Sequence, residues 1–396
     1  MKIVVGLEEI ANIGNTYVQA FRELGHEASL VVWNRNPFYT DTEYTKVIWE
    51  IKSALRETSV FSMLPKSVLP RILAAQELLS QLRKADLFIY IFSSSFLPCY
   101  FDYPILKLAG KKMITVFCGD EIRFGEAVSL YARERGYFDE LEPYLNIRTR
   151  ETNDLFLQKI LRIRTAETWS DLIVSSPEMG QLQKKPYVRI HIPLKLDNYQ
   201  FKVHGRSVPK IVHAPSHRGY KGTDVILRAI EELHGEGLQF EFTLLENVPN
   251  SVVRDILADA DIVVSQLYGD VLSTFSEEGM ATGNAVVGRF VADSVPPNLP
   301  AVNANRFTLK EQLREMITNV DKRIQISYAS RDYVEKYFSH LTVAQSLLDT
   351  IQSNDEKRYD YQPVFYKRLK KYTLKFLGGD FKKYFGIVDK NIGLGQ

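Results

Sequence analysis

Two cations set three residues apart, Arg218 and Lys221, stand among glycines in the run His213-Ala214-Pro215-Ser216-His217-Arg218-Gly219-Tyr220-Lys221-Gly222-Thr223. Glycines let a backbone come close to a ligand, an arginine grips phosphate oxygens in a two-pronged fork, and a lysine acts as a point charge. That set suits a diphosphate. The run follows the apolar pair Ile211-Val212 and precedes a stretch with helical spacing, so it reads as a loop between a strand and a helix. Thr223 is a good N-cap for that helix, whose free amides would aim the same way as the cations. The spacing is not that of a P-loop. The plainer reading is an exposed basic turn.

A second run lies about 50 residues on. A β-rich stretch, Ile262-Val263-Val264, leads through Asp270, Ser273 and Thr274 to Glu277-Glu278-Gly279-Met280-Ala281-Thr282-Gly283. A carboxylate at 278, on a short helix over 274–282, can accept from two vicinal hydroxyls such as those of a ribose. Glu277 is expected on the solvated side of that helix. Asp259-Ala260-Asp261 has the spacing of a divalent-metal pair, but it precedes a strand instead of following one, so no metal and no other cofactor is expected.

These residues need a frame, and the hydropathy pattern supplies one. Ile3-Val4-Val5, a helix over Thr16–Leu24 closed by Gly25, and a strand over Ser29–Trp33 make a βαβ opening, which implies a parallel sheet with crossover helices. Further strands read at Asp86–Phe92, Lys112–Phe117 and Leu172–Val174. Pro193, Gly205 and Pro209 punctuate a polar stretch, and the alternation then restarts with strands at 211–213, 240–245, 261–265 and 285–287. Helices are expected at 224–234, 251–258 and 274–282. The organisation is therefore two doubly wound α/β domains, residues 1–205 and 206–350, with a cleft between the carboxyl ends of the two sheets.

Composition bounds the function. The 396 residues are long enough for two cores, 45% are apolar, and a formal charge of +2 argues against a nucleic-acid binder. Two cysteines, Cys99 and Cys118, give neither a disulfide framework nor metal-ligand spacing, and a reducing, cytoplasmic setting is expected. No signal peptide is expected, and the apolar run from Leu87 to Phe101 is too broken to span a bilayer. Residues 356–396 form a distinct tail with ten Lys and Arg against four Asp and Glu. Phe365, Leu369, Tyr372 and Phe376 would line one face of a helix there, opposite Lys367, Arg368, Lys370, Lys371 and Lys375. Such a helix suits an anionic membrane surface. The alternative is a final helix that packs back on the first domain.

The two runs, in this order and spacing, resemble the C-terminal domain of the family 4 retaining glycosyltransferases. The resemblance implies the GT-B fold, two tandem Rossmann-like domains with an interdomain cleft, and transfer of a sugar from a UDP- or GDP-sugar donor to a glycan or lipid-linked acceptor with retention. It places the donor diphosphate on Arg218 and the Lys221-Gly222 pair and the nucleotide ribose on Glu278. Asp270 stands where many members have a sugar-contacting Glu, with Ser273 and Thr274 on the approach to the helix. In the first domain, Gly14 sits in the first loop and Phe21-Arg22-Glu23-Leu24-Gly25-His26 is similar to the exit of the family's first helix. Where some members carry an acceptor-side His, this chain has Cys118-Gly119-Asp120-Glu121, so Asp120 or Glu121 is expected to orient the acceptor, with a salt bridge from either to Arg123 as the alternative. A sugar-nucleotide epimerase and a non-catalytic sugar-nucleotide or polysaccharide-binding scaffold are the alternatives on the same fold.

Overall fold

The computed structural model describes residues 1–50, 68–148, 152–353, 359–360 and 364–365. The chain forms two sheets. The first contains β1 (Lys2–Leu7), β2 (Glu27–Val32), β3 (Lys46–Val47), β4 (Leu87–Ile91), β5 (Lys112–Val116), β6 (Leu172–Val174) and β7 (Tyr187–Val188), all parallel. The second contains β8 (Lys210–His213), β9 (Glu241–Leu244), β10 (Ile262–Val264), β11 (Ala285–Gly288) and β12 (Val302–Asn303), also parallel. Strands covered on both faces by helices should be apolar throughout, and β4, β10 and β11 are buried at every residue.

Both sheets reverse their winding direction once. The first has the order β7-β6-β5-β4-β1-β2-β3, so the chain builds outward from β1 and then restarts at β4 on its other side. The second, β12-β11-β10-β8-β9, reverses between β8 and β10. Such switch points splay the loops at the strand ends apart and leave a crevice where ligands bind.

Helix Ile13–Glu23 begins three residues earlier than its periodicity predicts. The Glu9 carboxylate, folded over its start, accepts from the amides of Gly14 at 3.2 Å and Asn15 at 2.9 Å, which satisfies first-turn donors. The predicted N-cap role of Thr223 is also corrected. Residues 218–221 already form a helical turn, Gly222 at φ 74° separates it from helix Thr223–Gly235, and the Thr223 hydroxyl faces His213 instead. Glycine takes that left-handed backbone without strain.

The chain crosses back to the first sheet after residue 339, before the predicted boundary at 350. Val343, Ala344, Leu347 and Leu348 of helix His340–Ser353 share one core with Tyr17, Phe21 and β1. Each buried leucine there contributes about 2 kcal/mol. Glu23 ties the junction, accepting from Lys195 at 2.9 Å and His340 at 3.0 Å. The described parts of the tail also rest on the first domain. β13 (Tyr359–Asp360) pairs antiparallel with β7, and the Phe365 ring meets Phe124 edge-on at 6.3 Å. The predicted amphipathic helix beyond Phe365 lies outside the described residues.

Candidate active site

A cavity of about 770 Å³ lies between the domains, within the range of small-molecule sites. Both switch points open onto it: Ile10 and Ile13 follow β1 and Phe92 follows β4 on one wall, while the 216–221 loop follows β8 and Gln266 follows β10 on the other.

Lys221 is the cation that the 213–223 loop delivers to this cavity. Its ammonium donates to Gln266 Oε1 at 2.8 Å. Burial and the nearby Arg123 charge lower its pKa to about 8. The loop is held from below by His213, whose Nδ1 donates to the Val264 carbonyl at 2.8 Å and whose Nε2 accepts from the Thr223 hydroxyl at 2.9 Å. Burial pushes His213 down to about 4, so it is neutral. Ser273 and Thr274 also line the cavity, at the start of helix Thr274–Thr282. Ser273 caps that helix, and its hydroxyl lies 2.9 Å from Ser265 Oγ at the end of β10. A helix N-terminus and a lysine that line one cavity are both groups that attract anions.

Other predicted residues are placed elsewhere. Arg218 is half exposed and pairs with Glu246 at 2.9 Å, so it is not among the residues lining the cavity. Residues three apart on a helical turn share a face, and it is the pairing with Glu246 that holds the Arg218 side chain outside the cavity. Gly222 sets the turn that aims Lys221; a side chain there would press on Leu267 at about 3.0 Å. Asp270 is buried away from the cavity, accepting from Arg289 at 2.5 Å and the Tyr137 hydroxyl at 2.6 Å. Gly14 does not line the cavity either, because its amide is given to Glu9 and its Cα packs near Leu30. Asp259 and Asp261 are engaged by Arg206 and Lys210.

The two neighbouring glutamates diverge. Glu278 is buried, and its Oε1 accepts from the Tyr199 hydroxyl at 3.0 Å and from Asn250 at 2.9 Å. Burial raises its pKa, and those two hydrogen bonds oppose the rise. Glu277, expected on a solvated face, is instead 2% exposed and lines the cavity. The helix is covered on all sides at this point, so no solvated face exists there.

The first-domain wall is built around Arg123. This buried guanidinium pairs with Glu178 at 2.7 Å and with Asp120 at 2.8 Å, and it lies over the Tyr220 ring of the second domain at 5.2 Å. Asp120 lines the cavity with an exposed side chain while pairing with Arg123. Glu121 does not: it folds back to accept from the amides of Cys118 at 2.5 Å and Gly119 at 2.8 Å. His191 also lines the wall, its ring 4.7 Å from that of Phe338 and its pKa lowered to about 4 by burial. Glu178 and His191 escaped the sequence reading, Glu277 was expected on a solvated face, and Arg123 entered only as a salt-bridge partner for Asp120 or Glu121. The Asp120-to-Arg123 spacing after a strand end was the one local signal for any of them.

No protein-family model matches the chain, and no curated protein matches it by sequence. Solved structures do match. Sucrose-phosphate synthase from Thermosynechococcus elongatus superposes with a TM-score of 0.56 at 10% identity, covering 89% of this chain and 98% of that one. An alpha-glucosyltransferase in complex with UDP-glucose and DNA gives 0.55 at 10% identity, covering 89% and 99%. WaaG, a glycosyltransferase involved in lipopolysaccharide biosynthesis, gives 0.53 at 12% identity, covering 89% and 100%. Two parallel sheets wound in this order, facing one another across a cleft and matched along nearly their whole length by these enzymes, make this a GT-B fold.

Proposed function

We propose that the protein is a retaining glycosyltransferase that moves a sugar from a UDP- or GDP-sugar to a glycan or lipid-linked acceptor. The observation that carries this reading is that Lys221 and the Ser273–Thr274 helix start line the same cavity between the two switch points. In this reading the donor diphosphate rests on that pair. As the bond from the anomeric carbon to the phosphate oxygen breaks, negative charge grows on the diphosphate, and the lysine and helix amides stabilise it. Removal of one such preorganised donor costs roughly 3–4 kcal/mol of transition-state stabilisation. The acceptor hydroxyl, oriented by Asp120, forms the new bond to the anomeric carbon and passes its proton to the departing diphosphate oxygen. Retention at that carbon rests on the resemblance of the 213–223 and 270–283 runs to the family 4 enzymes.

The membrane-directed part of the reading is narrower. No helix among the described residues is long and apolar enough to cross a membrane. A cytoplasmic enzyme touching the membrane through residues 356–396 is consistent with the basic composition of that segment. Liposome flotation with and without those residues tests it, and equal flotation would remove the idea.

One observation favours a non-catalytic scaffold that keeps donor binding: the Asp270 carboxylate is committed to Arg289 and Tyr137. Incubation with UDP- and GDP-sugars and a panel of glycan and lipid-linked acceptors separates the two readings. Acceptor-dependent release of nucleoside diphosphate supports the transferase, and donor binding without release under any acceptor supports the scaffold.

A further inference from the structure

We infer that the acceptor carries its reacting hydroxyl beside an apolar group, an alkyl or aryl body, and is not a bare glycan. That group lies on a floor formed by Ile10, Ala11, Phe92, Cys118, Ile190 and Ile192. The inference rests on the transferase reading above and narrows its acceptor.

The six residues come from four strand ends. Ile10 and Ala11 follow β1, Phe92 follows β4, Cys118 lies two residues beyond β5, and Ile190 and Ile192 lie just beyond β7. All six pack on the core that holds Tyr17, Phe21 and β1, all six line the cavity, and each is only partly buried. The sheet order thus gathers them into apolar surface left open on the first-domain wall. Ala11 and Phe92 hold left-handed backbone, at φ 50° and 58°, which glycine would adopt without strain. Strained positions of this kind gather at ligand sites.

The chemistry of the floor selects its occupant. Covering apolar surface that water now touches is favourable and needs no partner of fixed direction. A glycan would bring hydroxyls instead. None of the six side chains offers a strong hydrogen bond, so those hydroxyls would give up water without replacement. An alkyl or aryl group has no such loss.

The rest of the cavity does not share this character. Lys221, Gln266, Ser273 and Thr274 line the second-domain wall with a cation, an amide and two hydroxyls, which suit the polar donor. The charged groups beside the floor are engaged by the protein: Arg123 pairs with Glu178, and Arg189 with Asp360. Asp120 stands two residues past Cys118 in the same loop. A hydroxyl set on its carboxylate can therefore carry an apolar body that rests over Cys118 and its neighbours.

The test titrates methyl, butyl, hexyl and phenyl β-D-glucosides, with maltotriose as the bare glycan, into the full chain and into Ile10→Thr and Ile192→Thr. Dissociation constants are read by ligand-observed NMR, and UDP and GDP are titrated into the unmodified protein by calorimetry. Affinity should rise from methyl to hexyl by up to about fourfold per methylene, and at least tenfold in all. Maltotriose should bind no better than the methyl glucoside. Each variant, with its melting temperature preserved, should lose threefold or more of the gain; if a variant does not fold, the series on the unmodified protein decides alone. A phenyl glucoside tighter than the hexyl assigns an aryl group, and the reverse assigns an alkyl one. Equal affinity across the series, no binding of any glucoside, or maltotriose tighter than the hexyl glucoside would overturn the inference, and binding of UDP or GDP would then leave the donor site standing. A gain undiminished in both folded variants would also overturn it, because the apolar group would lie elsewhere. A gain that the variants remove, without binding of UDP or GDP, would overturn the donor site and keep the apolar floor.

Discussion

The two walls of the cleft are assembled differently. The second-domain wall between His217 and Glu277 comes from one stretch of chain, in which each strand hands its loop directly to a helix. The first-domain wall gathers Ile10, Phe92, Asp120, Arg123, Ser175 and His191 from separate strand ends, brought together only by the sheet order. The second wall presents a lysine and a helix start to the cavity. The first holds its charges in internal pairs, Arg123 with Glu178 and Asp120, and Glu9 over a helix start. In the proposed reading the donor-binding groups are concentrated on the continuous wall, and the assembled wall holds most of its charges in internal pairs.

That contrast is open to attack, and the largest effects should be structural ones on the assembled wall. Arg123→Met leaves Glu178 buried without its cation and should cost about 3–5 kcal/mol in denaturant unfolding, most of it recovered when Glu178→Gln is added. Leu347→Ala, where the returning helix enters the first core, should cost about 2–5 kcal/mol by the same measurement. A loss below 1 kcal/mol for either would mean that the first domain does not depend on these contacts.

Glu9 gives a smaller and pH-dependent effect. Burial raises its pKa to about 7, and the Asn15 and Gly14 amides oppose the rise. A raised folded-state pKa means that the fold favours the neutral acid. Its contribution is therefore fully present below the unfolded value near 4.5 and is lost as pH rises through about 7. Unfolding free energy should fall by roughly 3 kcal/mol across that window on this account, a slope that Glu9→Gln should remove. Identical pH profiles for the two proteins would show that Glu9 is not the titrating group.

On the continuous wall, Lys221 has its pKa lowered to about 8, so its charge is present below that pH and lost above it. Diphosphate affinity should hold steady to about pH 8 and then fall by up to tenfold per unit, a dependence absent in Lys221→Met. Arg218→Ala should have the smallest effect, less than tenfold on nucleoside diphosphate affinity, because its side chain is turned out to Glu246. A hundredfold loss there would reverse the placement and restore the role that resemblance assigns it.

The same contrast explains what the sequence made legible. Helix Thr274–Thr282 and strands β8 to β11 fall where local periodicity puts them, because apolar runs between polar loops define them without reference to distant chain. The return of helix His340–Ser353 to the first core was not legible, since its apolar stripe fits either domain equally well. Lys221 was singled out because a cation in a glycine-bearing strand-to-helix loop is a local signal, and it lines the cavity. Arg218 carries the same signal, and what separates the two side chains is Glu246, which pairs with Arg218 and is remote from it in the sequence. Glu277 and Glu278 are chemically identical neighbours, and their fates are decided by Tyr199 and Asn250, remote in the chain.

The most direct test of the central claim is isothermal calorimetry of UDP and GDP against the unmodified protein and Lys221→Met. Binding of one of the two by the unmodified protein, weakened a hundredfold or more in Lys221→Met with the melting temperature preserved, is the predicted result. Equal affinity in both proteins, or no binding in either, would contradict a donor diphosphate held on the second-domain wall.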